Sequence, residues 1–306
     1  MKHEVAGDPM TGLKWTRRTT AKIALALRSL SIDISERTVA GLLREMGFSL
    51  RVNHKKLSRG SLESREKRDA QFARIAELRE SFTAGSLPLI SVDTKKKELV
   101  GQFKNAGVAW HREPVLVNDH DFRSDARGIA VPYGIYDLQA NRGTLFVGVS
   151  HDTPQFAVEC IEKWWRTEGS RRDRGAKRLA ILADGGGSNG ATCRGWKHAL
   201  QERICNRHGI SVTVAHYPPG ASKWNPIEHR LFSEISKNWA GRPLDDYETI
   251  LKYARTTATS TGLRVRAHFV RRRYKKGLKI NERQMSSISI TADEALPKWN
   301  YTIRPS

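Results

Sequence analysis

Cysteine is scarce in this chain and follows no pattern: Cys160, Cys193 and Cys205 are odd in number and none belongs to a CxxC pair. That argues against a disulfide framework and against a zinc site, and the three read as ordinary thiols. No apolar run reaches the length of a membrane span, and residues 1–12 lack the apolar core of a secretory leader, so a soluble, intracellular protein is expected. Acid is the third shortage. The 32 Asp and Glu stand against 53 Lys and Arg, a net charge of +21 over 306 residues. A surplus this large is the footprint of a protein that meets a polyanion, of which nucleic acid is the commonest. The length allows one large domain or two modest ones.

Two short apolar runs, residues 87–93 (LPLISVD) and 179–184 (LAILAD), each close on an aspartate. Continuous apolar runs of this length read as strands buried on both faces, as in parallel sheets covered by helices. Ligands of open α/β sheets gather at the carboxyl ends of strands, where Asp93 and Asp184 would emerge. A third acid sits in residues 216–232 (HYPPGASKWNPIEHRLF). In a helix read from Asn225, the positions Trp224, Glu228, Leu231, Ile235 and Trp239 share one face, which puts Glu228 inside an apolar stripe. An unpaired buried carboxylate is costly, so Glu228 is expected to face a cation or a hydrogen-bonding partner. Three carboxylates in one place repel unless cations lie between them. Oxygen ligands suit Mg2+ or Mn2+, and a pair of such ions suits in-line displacement at phosphorus. A single strand-end aspartate is more often a turn former; the weight lies in all three together.

The rest of the chain fits around this core. Residues 19–30 carry Ile23, Ala24, Leu27 and Leu30 at helical spacing, and Ser35 is placed to cap a second helix over 36–46, with Val39, Leu42, Leu43 and Met46 inward and Gly47 closing it. Helix, turn and capped helix suggest a helix-turn-helix, with Arg37 and Arg44 outward and Arg51, His54, Lys55 and Lys56 following as phosphate contacts. Residues 61–82 read as a charged connecting helix with an apolar seam of Phe72, Ile75, Leu78 and Phe82. Residues 95–103 look like a strand turning back from the first, and 134–138 with 144–150 like a hairpin. Residues 153–168 form a helix with Pro154 in its first turn and Trp164 and Trp165 as packing aromatics.

Three local patterns invite other readings. Asp119, Asp121 and Asp125 lack the glycine and terminal glutamate of a calcium loop and read as a solvated loop. Gly185, Gly187 and Gly190 fit GxGxxG, but the acid precedes the glycines and the next strand ends in His216 rather than a ribose-binding acid, so they are read as letting backbone approach metal or phosphate. His216, Lys223 and His229 are candidates for phosphate contact or for structural roles. Near the end, Arg264, Arg266 and His268 alternate with apolar residues as in a strand, and Arg271, Arg272, Arg273, Lys275 and Lys276 form a dense cluster that leans towards phosphate contact.

With these residues assembled, the chain resembles the DDE-class transposases of bacterial insertion sequences, specifically the ISAzo-type family. The likeness is carried by GDPM near the start, SVDTKKKELVG around Asp93, VPYGIYDLQANRGTLFVGVSHDTPQFAVECIEKWW, LADGGGSNG, HYPPGASKWNPIEHRLFSEISKNWAGRPL and the closing WNYTI. It implies an α/β, ribonuclease-H-like mixed sheet flanked by helices behind a helix-turn-helix region. The division expected is 1–60 helix-turn-helix, 61–86 connecting helix, 87–260 catalytic domain and 261–306 basic tail. Relatives of this type carry more residues ahead of GDPM, so part of the N-terminal region is expected to be missing. The resemblance implies that Asp93, Asp184 and Glu228 are the catalytic acids and hold two Mg2+ or Mn2+ ions. It implies DNA as partner, a homo-oligomer on that DNA, and residence in the cytoplasm at the nucleoid. Two further readings stay open: a DNA-binding relic or repressor without catalysis, and a general nuclease of the same fold.

Overall fold

The computed structural model describes residues 5–7, 14–16, 19–48, 65–109, 112–294 and 296–306. The chain divides into two compact units, 1–58 and 59–306.

In the first unit β1 (Val5–Gly7) and β2 (Lys14–Thr16) pair antiparallel. Helix α1 (Thr20–Arg28) starts where Thr19 accepts from the backbone of Lys22, and α2 (Glu36–Glu45) where Ser35 accepts from that of Thr38. Both caps satisfy amides that a first turn leaves bare. Gly47, at φ 81, takes the left-handed conformation that lets the Phe48 amide reach the Leu43 carbonyl at 2.8 Å. Ile23, Ala24 and Val39 form the small core, with Leu27, Ile34 and Leu43 packed on it. Leu30, Leu42 and Met46, expected inside, are 69%, 46% and 69% exposed. α1 stops at Arg28, so Leu30 falls in the turn, and two helices this short share only one narrow seam.

The second unit runs α3 (Arg65–Ala84), β3 (Leu89–Thr94), β4 (Glu98–Val100), β5 (Gly128–Asp137), β6 (Arg142–Gly148), α4 (Pro154–Trp164), α5 (Ser170–Arg172), β7 (Arg178–Asp184), α6 (Arg194–Leu200), β8 (Ser211–Tyr217), α7 (Ser233–Asn238), α8 (Tyr247–Thr256), β9 (Arg264–Val270), α9 (Glu282–Ser286), β10 (Ile290–Ala292) and β11 (Asn300–Ile303). One mixed sheet takes the order β10-β11-β8-β7-β3-β5-β6-β9, with β4 paired to β5. β3, β5 and β6 are antiparallel neighbours, while β7 and β8 continue from the other side of β3 in parallel. An antiparallel meander extended by two parallel strands is the ribonuclease-H-like arrangement, so the expected fold is the one observed.

Strand periodicity sorts the core into two faces. Ile90, Val92, Leu179, Ile181 and Ala183 pack on one side with α4 and α6. Leu89, Ala180 and Leu182 pack on the other with α3. The alternate positions Ser91, Asp93 and Asp184 therefore turn to the second side, where Ile227, Leu231 and Phe232 also pack on the sheet.

Several expectations need correction. The strand near residues 95–103 is short and pairs with β5, not with the strand it follows. β5 begins at Gly128, ahead of the start expected at 134, because its outer half pairs with β4. Residues 61–86 were expected to connect two domains, yet α3 packs Ile75, Leu78 and Phe82 on the sheet and belongs to the second unit. Residues 261–306 were expected as a tail, yet β9 extends the sheet beside β6 and β11 beside β8. Helix α8 is capped by Asp246, whose side chain accepts from Thr249 N.

Candidate active site

β3 and β7 are parallel, with Val92 opposite Ala183. One residue further on, Asp93 and Asp184 leave the two strands side by side and on the same face. Glu228 comes from a helical run over 226–238 whose residues Glu228–Phe232 form a wide π turn. That run lies close against the sheet because β5 has Gly134 opposite Asp93: a Cβ there would collide with the Phe232 ring and lie 2.9 Å from Ile227 Cδ1. Trp224, expected on the Glu228 stripe, is 59% exposed. It belongs to a separate turn, Ser222–Trp224, ahead of the helix, so the helical spacing does not reach it.

The three acids are linked unequally. The charge of Glu228 acts on Asp93 and raises it, but less than that of Asp184 does. Burial, followed by the charge of Asp184, pushes Asp93 up to about 8 despite the Thr94 amide that donates to its Oδ1 at 2.7 Å. Burial also lifts Asp184 to about 6, opposed by a hydrogen bond from Asn225, and raises Glu228. Among the described residues no cationic side chain lowers Asp93 or Asp184. Lys95, whose charge reaches Glu228, is engaged by Glu98 at 2.8 Å. Among the described residues no three acidic, histidine or cysteine groups form a ready metal cage. The donor set nonetheless fits a hard divalent cation: oxygen ligands only, mutually repelling, and short of a positive partner.

A fourth acid went unnoticed in the sequence. Asp152 follows β6, accepts from Thr94 Oγ1 at 3.1 Å, and adds its charge to those raising Asp93. Its position just before the helix cap Thr153, in SHDTP, makes it look like a helix-start residue; the only available signal was a strand followed at once by an acid. Asn225 also went unassigned, although it is fully buried and donates to Asp184 Oδ1 at 3.4 Å.

Of the histidine candidates, His216 is structural. Its Nδ1 meets the Asp184 carbonyl at 3.0 Å and its Nε2 the Tyr301 hydroxyl at 3.1 Å. A carbonyl only accepts, so Nδ1 carries the proton and the Tyr301 hydroxyl donates to Nε2 while accepting from Trp196 Nε1 at 3.0 Å. Burial lowers its pKa to about 4, which keeps it neutral. His229 contacts the Lys223 carbonyl through Nε2.

Arg37 and Arg44 are exposed on α2, whereas Arg51, Lys55 and Lys56 lie outside the described residues. Lys223 is exposed beside the Trp224 ring, 5.3 Å from its centroid. Arg271, Arg272, Arg273, Lys275 and Lys276 are exposed on the segment that leaves β9. β9 runs parallel to β6, with Val270 opposite Gly148, so this basic segment emerges at the end of the sheet where Asp93, Asp184 and Asp152 lie. Buried Tyr274 anchors it through its amide to Ser150 Oγ at 3.0 Å. Arg272 pairs with Glu159. Among the described residues no helix is long and apolar enough to cross a membrane.

No curated protein matches the chain. Among solved structures, the Mos1 transposase paired-end complex with left transposon end aligns at 17% identity over 77% of this chain and 65% of that one, TM-score 0.44. The Mos1 strand transfer complex aligns at 18% identity over 77% of this chain and 64% of that one, TM-score 0.45. The catalytic domain of Mos1 mariner transposase aligns at 14% identity over 66% of this chain and 82% of that one, TM-score 0.39. The chain thus spans 65% of the length of the first of these. A family profile described as Rhodopirellula transposase DDE domain matches residues 1–305, and the chain belongs to that family.

Proposed function

We propose that this protein cuts DNA at the ends of an insertion sequence and joins those ends to target DNA, using Asp93, Asp184 and Glu228 to hold Mg2+ or Mn2+, two ions in all. In the first step water attacks a phosphodiester at the element end, the P–O3′ bond breaks and a 3′ hydroxyl is released. In the second, that hydroxyl attacks a target phosphodiester and displaces another 3′ oxygen. No covalent protein intermediate is required. When bound, the divalent cations activate the attacking oxygen and stabilise the leaving one.

The chain's own groups supply the setting. The Thr94 amide orients Asp93 by donating to its Oδ1. Neutral His216 holds the backbone of Asp184. Arg271, Arg273, Lys275 and Lys276 are offered to the DNA backbone at the same end of the sheet, with Lys223 beside Glu228 in sequence. Arg37 and Arg44, with Arg51, Lys55 and Lys56, are assigned to recognition of the element end. The assembly is a homo-oligomer that pairs two ends, working on chromosomal DNA in the cytoplasm.

The observation that carries this reading is that three acids from three elements gather at one end of the sheet and make no ion pair among the described residues, in a protein of net charge +21. Purified protein, Mg2+ and DNA bearing the element's terminal repeats test it. Nicking at the repeat and joining to a second duplex are expected. Binding without either would leave a DNA-binding protein without catalysis, and equal cutting of unrelated DNA a general nuclease.

A further inference from the structure

Asn225 uses all the polar atoms of its side chain. Its Oδ1 accepts from the Ser91 hydroxyl, and its Nδ2 donates to the Val92 carbonyl and to Asp184 Oδ1, both at 3.4 Å. Ser91 Oγ in turn accepts from the Ile227 amide at 3.1 Å, the backbone group just ahead of Glu228. The orientation of the amide follows from chemistry: turned over, its oxygen would face two acceptors. Ser91 and Asn225 are both fully buried, so an unmade bond there would be expensive. One side chain thus spans the strand that delivers Asp93, the carboxylate of Asp184 and the start of the helix that delivers Glu228.

Packing alone would not require this. Bonds to Ser91 and Val92 already pin the helix to β3, and the bond to Asp184 adds nothing to that seam. What it does is steady one oxygen of a carboxylate at the open end of the sheet and leave Oδ2 without a hydrogen bond among the described residues. We infer that Asn225, supported by Ser91, is a positioning residue that sets Asp184 relative to Asp93 and Glu228 for divalent-cation binding. The identity of the cation rests on the catalytic reading above; the clamp rests on these bonds.

Groups that orient metal ligands typically change metal affinity by about 10–100-fold when removed. Binding of Mn2+ to the full chain, followed by the loss of the free-ion EPR signal, is the direct readout, with thermal melting in chelator as the check on folding. Asn225→Ala is expected to weaken Mn2+ about tenfold, and Ser91→Ala to weaken it less and in the same direction because the Asp184 bond survives. Unchanged Mn2+ affinity in folded Asn225→Ala overturns the inference. Should that variant fail to fold, unchanged affinity in Ser91→Ala does the same, as does a wild type that binds no Mn2+. Wild-type Mn2+ binding that Asn225→Ala weakens, in a protein that neither nicks nor joins end DNA, would remove the transposase reading and leave the clamp standing.

Discussion

The two ends of the central sheet treat buried acid in opposite ways. At the end where β5 turns into β6, Asp137 is 2% exposed and fully provided for: Arg172 pairs with it, and the amides of Gln139 and Ala140 donate to its Oδ1 at 3.2 and 3.0 Å. Nearby Glu168 accepts from Thr144 at 3.0 Å and pairs with Arg266 at 3.4 Å. At the other end Asp93, Asp184, Glu228 and Asp152 face one another, and hydrogen bonds from neutral groups take the place of ion pairs. A chain with 53 Lys and Arg does not lack cations to send there. It pairs the acids that serve the fold and leaves the others for a cation from outside, which is the pattern of a functional site and not of a core.

The sharpest way to break that contrast is to neutralise acids at each end. Asp93→Asn, Asp184→Asn and Glu228→Gln should each abolish metal-dependent cleavage, a loss of at least about a thousandfold, while DNA affinity stays near wild type. Above about pH 8, where Asp93 and Asp184 are ionised, melting in chelator should rise, because each change removes a repelling charge. Turnover retained in any of the three, measured on end-bearing DNA, would show that acid is dispensable. Arg172→Ala should do the reverse. It strands Asp137 without its cation and costs on the order of 3 kcal/mol of stability in a denaturant titration, with intrinsic cleavage preserved in the folded fraction. A melting curve unchanged by Arg172→Ala would put the two ends on the same footing.

How much of this was legible before folding depends on where each residue gets its signal. Asp93 and Asp184 were readable because two-sided burial forces continuous apolar runs, and the runs end where the acids begin. Glu228 was readable as an acid in an apolar stripe, but the stripe was extended one residue class too far, to Trp224, since a wide turn and a preceding short turn shift helical spacing. Asp152 was hidden because proximity to β3 is created by the sheet and not by local pattern. β9 was legible as a strand, yet its place was not: a parallel partner distant in sequence leaves no trace in alternation. Asn225 looked like an ordinary helix-start residue, because only the folded chain brings Ser91 and Asp184 to it.

Acidity offers a milder perturbation of the same contrast. In the cation-free protein Asp93 is raised to about 8 and Asp184 to about 6 from an ordinary value of 3.8. The folded state therefore holds protons that the unfolded state has released, so stability is greatest below about pH 4 on this account and declines as pH rises through 6 and 8. Melting temperature in chelator should fall by several degrees between pH 5 and 8.5, Asp93→Asn should flatten the upper part of that decline, and Mg2+ should oppose it by favouring the ionised acids. A wild-type melting temperature independent of pH over that range would mean that the acids are not held against one another.

The smallest effects are expected in the basic segment, and they separate cations committed to the fold from cations left for a partner. Arg271 and Arg273 are exposed and make no ion pair among the described residues, whereas Arg272 pairs with Glu159, and its guanidinium lies 5.4 Å from the centroid of the Tyr274 ring. A cation that neutralises a DNA phosphate contributes roughly 0.9 to the slope of log affinity against log salt. Arg271→Gln and Arg273→Gln should each lower that slope by about this amount and weaken binding alike on all sequences. Arg272→Gln should lower it by less, because Glu159, shared with Arg203, already offsets part of its charge, and should instead loosen the hold of Tyr274 and Glu159 on the segment, seen as a drop in melting temperature. Equal salt slopes for all three variants would show that Glu159 gives Arg272 up to the DNA. The pairing rule drawn from the two ends of the sheet would then hold for buried acids and fail for surface cations.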